Sequence, residues 1–163
     1  MLGGCISLLS DSLLSNATLL VAFIIVILII TVGILFDAVG TAVTSANEVP
    51  FHAMAAKKVP GAQTAIILIR NADKVSNFCN DVIGDICGIV SGSAGAIITE
   101  KFIQYNNISQ NGITITLLPA IVGALIAAFT IGGKALGKNY AIQSSKNIIF
   151  TVAKVIQIFK KER

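Results

Sequence analysis

Leu19–Phe36 reads LLVAFIIVILIITVGILF, and the uncharged run around it reaches back to Ser12. About 20 apolar residues cross the hydrocarbon core of a bilayer, so this stretch predicts a membrane-spanning helix over about 15–38. Ile, Leu and Val surround its whole circumference, as lipid exposure allows. No basic leader precedes it, so it reads as a span and not as a secretory signal.

The rest of the chain agrees with that reading. It has 163 residues, 55% hydrophobic and 12% charged, with mean hydropathy +0.85. A soluble domain carries about 25% charge. The expectation is an all-α integral membrane protein, a single membrane domain over 1–163. All of the twelve basic residues except Lys101 lie within Lys57–Lys74 or Lys134–Arg163. Basic loops stay on the cytoplasmic side, which predicts an outside N-terminus, a cytoplasmic C-terminus and three spans. The composition is compatible with a bacterial inner membrane. The net charge of +4 fits contact with anionic headgroups. No basic–aromatic pattern points to nucleic acid.

Beyond the first span, Glu48-Val49-Pro50 breaks the helix. The segment 51–70, punctuated by Pro60-Gly61, predicts two short helices at the membrane interface. Asn71-Ala72-Asp73 reads as a turn with Asp73 as cap. A second span is expected over 77–98 and a third over 113–131, ended by Gly132-Gly133-Lys134. The segment 140–161 predicts an amphipathic juxtamembrane helix. Ile142, Ile149, Val152, Ile156 and Phe159 fall on one face; Gln143, Asn147, Lys154, Gln157 and Lys161 fall on the other. A fourth span is the alternative there.

The second span is unusually polar. At α-helical spacing Asn77, Asn80, Asp81, Gly84, Asp85 and Gly88 form one stripe. Gly84, Gly88 and Gly92 make small-xxx-small steps that let two helices approach in lipid, so a homodimer through them is expected. Cys79 and Cys87 lie about 12 Å apart along a helix, too far for a disulfide. Cys5 follows Leu2-Gly3-Gly4, which resembles a lipoprotein cleavage site without the leader. The lone His52 offers no base to the Ser and Thr hydroxyls, so no enzyme is expected. No cofactor is implied either.

Intramembrane carboxylates mark functional sites when buried. Asp37, Asn80, Asp81 and Asp85, with Thr41 and Asn77 as secondary oxygens, offer hard ligands that suit Mg²⁺. The competing reading is that the aspartates merely end helices in the headgroup region.

Three stretches resemble the transmembrane domain of the cyclin M / CorC family of magnesium transporters. Phe36 to Ser45, FDAVGTAVTS, looks like the family's F-S-x-S-E-T-A-L-T-S. Gly61-Ala62, Ala65 to Leu68 and Asn71 look like G-A-x-x-A-L-x-L-x-x-N. Cys79 to Gly84, CNDVIG, looks like G-N-N-L-V-N. The similarity covers roughly 30–159. It implies three spans, interfacial helices and divalent-cation transport or efflux, with Mg²⁺ as the transported ion. The departures are specific. Gly40 stands where the family has its acid and Gly84 where it has an Asn. Asp37 replaces a serine and Asp81 an asparagine, while Asn80 matches. Gly132 to Lys138 lacks the acid and proline of G-E-x-x-P-K, and no counterpart of the family's regulatory cytosolic domain is seen. These departures leave a second expectation: a non-transporting membrane interaction or regulatory protein that works with a partner in the bilayer.

Overall fold

The computed structural model describes residues 18–105 and 112–161, apart from the side chains of 112–116 and 159–161. Cys5, Asp11, most of the loop after Tyr105 and the side chains of Phe159 and Lys161 therefore lie outside the described residues. All described elements are helical: α1 Leu19–Ser45, α2 Val49–Ala56, α3 Ala62–Arg70, α4 Ala72–Asn77, a π-helical segment Phe78–Gly84, α5 Asp85–Tyr105, α6 Gly112–Gln143 and α7 Ser145–Lys161. Three stretches are long and apolar enough to cross a membrane: Leu19–Ser45, Ala72–Tyr105 and Leu117–Gln143. That makes a membrane location compatible with the fold.

The backbone contacts divide the chain into two compact units, 1–34 with 85–133 and 35–84 with 134–163. In the first unit Ala22 and Val26 of α1 and Ala94 and Ile98 of α5 are buried together. A Cβ on Gly33 would lie 3.0 Å from the Cys87 Cβ, and one on Gly95 2.6 Å from the Ile126 Cδ1. The glycines thus set close helix approaches on both sides of α5. Buried Ser91 and Thr99 donate to the carbonyl oxygens of Gly88 and Gly95 in their own helix, which satisfies the hydroxyls without a partner helix.

The second unit has the larger core. Ala42, Val43, Phe51, Ala65, Ile66, Ala141, Ile149 and Ala153 are buried in one cluster. α3 packs on both α2 and α7. Gly61 sits at φ +89, and a Cβ there would lie 3.3 Å from the Lys154 backbone nitrogen. Only glycine fits both constraints. Pro50, in the first turn of α2, has no amide hydrogen to leave unsatisfied there.

Several sequence expectations change in detail. The helix expected to end at Gly132-Gly133 does not: α6 runs through both to Gln143. The last helix accordingly starts at Ser145 and not near 140. Asp73 does not cap a helix; Asn71 occupies that position without a side-chain cap bond, and its Nδ2 donates instead to the Ile67 carbonyl oxygen. No disulfide joins Cys79 and Cys87.

One ion pair ties α2 to α3. Arg70 Nε donates to Glu48 Oε2 at 3.2 Å, and His52 Nε2 lies 3.6 Å from Glu48 Oε1. The Arg70 hydrogen bond holds the Glu48 carboxyl below its ordinary value of 4.5. A depressed acid contributes stability above its unfolded pKa, and loses it as pH falls through the folded value. The wild type is expected to show a small fall in unfolding temperature as pH drops below 4.5, absent from Arg70→Gln. Equal acid profiles for the two proteins would refute this. The effect is modest because solvent screens the pair.

Candidate functional site

The site grows from the C-terminal turns of α1. Asp37 is only 3% exposed. Its Oδ2 lies 3.5 Å from Lys138 Nζ on α6, yet it receives no hydrogen bond. The pair is therefore electrostatic, with a lone pair of the carboxylate unused. One turn on, Thr41 Oγ1 donates to the Asp37 carbonyl oxygen at 2.9 Å. The bond uses the hydroxyl hydrogen and leaves its oxygen able to accept or ligate.

Gly40 lies between Asp37 and Thr41 on this stretch. A Cβ there would overlap the Asn80 amide oxygen, so the missing side chain is the space into which Asn80 fits. Asn80 Nδ2 donates to Ser76 Oγ at 3.1 Å, which fixes the amide with Oδ1 toward Gly40. That Oδ1 is buried and also has no hydrogen-bond partner. Buried oxygens without partners are rare in folded proteins and call for an explanation. Two of them here come from facing elements of one unit.

The π-helical segment explains why Asn80 alone of the polar side chains in the expected stripe turns inward. Its i→i+5 bonding widens the turn and breaks the α-helical phase. The single stripe expected from α-helical spacing does not survive it. Asn80 is half-buried, whereas Asn77, Asp81 and Asp85 are exposed. The three aspartates do not gather: among the described residues no group of three or more His, Cys, Asp or Glu side chains could hold a metal ion. Of the six expected site residues, Asp37 and Thr41 stand one turn apart on α1, Asn80 meets α1 at Gly40, and Asn77 and Asp81 lie on the surface of the second unit. Asp85 belongs to the first unit.

Two residues of the site, Lys134 and Lys138, were read in the sequence as topology markers and as part of the stretch set against G-E-x-x-P-K, not as site residues. Lys138 meets Asp37, and Lys134, one turn earlier on α6, reaches the π segment. A Cβ on Gly84 would lie 3.4 Å from Lys134 Nζ and 3.6 Å from the Cys79 carbonyl oxygen. Gly84 is thus engaged within the chain. Gly88 and Gly92, by contrast, have open space where a Cβ would stand. They line a cavity of about 230 Å³ in the first unit with Ser91, Gly123, Ile126 and Thr130.

The chemistry on offer is narrow: one buried carboxylate, one amide oxygen and one hydroxyl oxygen. All are hard ligands. A single carboxylate beside neutral oxygens suits a cation that keeps part of its water shell, which is how Mg²⁺ usually binds. No family model, curated protein or solved structure matches this chain.

Proposed function

We propose that this chain is an integral membrane protein that holds a hard, partly hydrated cation between Asp37, Thr41 and Asn80, as a divergent relative of the cyclin M / CorC magnesium transporters. The observation that carries the reading is the pair of buried, unpartnered oxygens, Asp37 Oδ2 and Asn80 Oδ1. Both are acceptors and neither receives a hydrogen bond, although Lys138 Nζ stands 3.5 Å from the Asp37 oxygen. With the basic segments on the cytoplasmic side, the site lies at the end of α1 nearer the cell interior. Gly88 and Gly92 are the positions left for a second copy to approach.

The test is thermal unfolding of the detergent-purified protein against Mg²⁺, with Ca²⁺, Na⁺ and Asp37→Asn alongside. A ligand that binds only the folded state adds about 2.7 kcal/mol at 100 times its dissociation constant. A saturable, divalent-selective rise that disappears in Asp37→Asn is expected. A response equal for all salts, or equal in the variant, would end the reading.

A second reading rests on a specific observation. Lys138 already stands 3.5 Å from the buried carboxylate, so the charge is balanced without any ion. Under that reading the protein keeps a transporter-like fold and acts on a membrane partner, and the titration stays flat.

A further inference from the structure

We propose that Lys138 is a tethered cation: its ammonium group takes the place on Asp37 that an incoming metal cation would take, so loading the site requires Lys138 to leave. The inference rests on the cation site proposed above and adds its regulation.

Three observations point to it. The first is the unequal burial of the pair. The Asp37 side chain is 5% exposed and that of Lys138 is 48% exposed. The carboxylate is confined, while the amine has solvent beside it and a long stem on which to swing outward. The second is the contact itself. At 3.5 Å with no hydrogen bond to Oδ2, the ammonium neutralises the acid without locking onto it. A permanent structural pair in this environment needs hydrogen bonds to repay its desolvation. The third is the unpartnered Asn80 Oδ1, which Lys138 leaves without a donor. A lysine that balances the carboxylate and ignores the amide is an incomplete substitute for a cation that would bind both.

The consequence is competition. A divalent ion must displace a unit positive charge, so the intact protein binds it more weakly than the oxygens alone would. The displaced amine becomes more accessible when the ion is present.

Two measurements test this. In Lys138→Gln the competing charge is gone, and the apparent affinity for Mg²⁺ from thermal titration is expected to rise about tenfold. Asp37→Asn is expected to abolish the response. If Lys138→Gln and wild type bind within a factor of about two while Asp37→Asn does not bind, the tethered-cation idea is wrong and the site stands. If neither wild type nor Lys138→Gln responds, the cation site itself fails, and this inference with it. The second measurement needs no variant, should Lys138→Gln not fold. Amine-reactive labelling of the wild-type protein, read by peptide mass spectrometry, is expected to increase severalfold at Lys138 in saturating Mg²⁺. Exposed Lys146 serves as the unchanged control. A saturable thermal response with unaltered Lys138 labelling would overturn the inference.

Discussion

Phe51→Ala is expected to destabilise the second unit by about 3–5 kcal/mol, the usual range for deleting a fully buried aromatic. Phe51 is 0% exposed and shares its cluster with Ala42, Val43, Ile66 and Ile149. Most of its neighbours are small or β-branched, so little can collapse into the space left by the ring. The local helix cannot compensate. α2 has 8 residues, and a helix that short holds in water only through what it packs against. The loss should appear as a lower unfolding temperature in detergent and as new protease cleavage between Val49 and Arg70. Val49→Ala is the control: Val49 is 67% exposed, and a surface change of this kind stays within about 0.5 kcal/mol. A Phe51→Ala protein as stable and protease-resistant as wild type would mean that this core does not hold α2.

How much of this was legible beforehand depends on which physical signal each feature leaves. The run around Leu19–Phe36 announces its helix through composition alone, and its length and apolarity exceed anything a soluble fold requires. The short helices α2 and α3 were legible from Pro50 and Pro60-Gly61. The destination of α7 was not. Amphipathic spacing says that one face is hidden, not what hides it. Ile149 and Ala153 are 0% exposed in the protein core, where the pattern alone suggested lipid. Val155, Ile156 and Ile158 of α7 are exposed; Val155 and Ile158 lie off the face that the spacing picked out, whereas Ile156 lies on it.

The site was half legible for a related reason. Asp37 could be found, because an acid next to a membrane span is costly and therefore conspicuous. Asn80 was found, but for an inexact reason, since it was placed on an α-helical stripe that the π segment removes. Asp81 was chosen with it, and the wider turn leaves Asp81 exposed. No hydrophobic period encodes a shift to i→i+5 bonding. Lys138 was not picked out as a site residue. Its partner lies on a different helix, far away in sequence, and a lysine after an apolar run reads first as a topology signal. The same holds for Gly40, whose role shows only once the Asn80 amide is seen against it.

The second large effect concerns the Asp37–Lys138 pair and is asymmetric. Lys138→Ala is expected to cost about 2–3 kcal/mol in the absence of added divalent cation, whereas Asp37→Asn costs about 1 kcal/mol or less. Removing one partner of a buried pair leaves the other charge unbalanced, and the penalty depends on where that charge can go. Asp37 is 5% exposed and has nowhere to go; Lys138, at 48%, can turn to solvent. The half-exposed amine also screens the pair, which keeps the first figure below the upper range for fully buried partners. The double variant Asp37→Asn/Lys138→Ala should be more stable than Lys138→Ala alone, because the second change removes the stranded charge. Unfolding of the four proteins in detergent measures the cycle, and a Lys138→Ala protein no less stable than Asp37→Asn would refute the asymmetry. The expected order carries a functional meaning. An acid that the fold can lose cheaply, but can keep only with a lysine beside it, does not owe its place to stability, and its explanation then lies in what it binds.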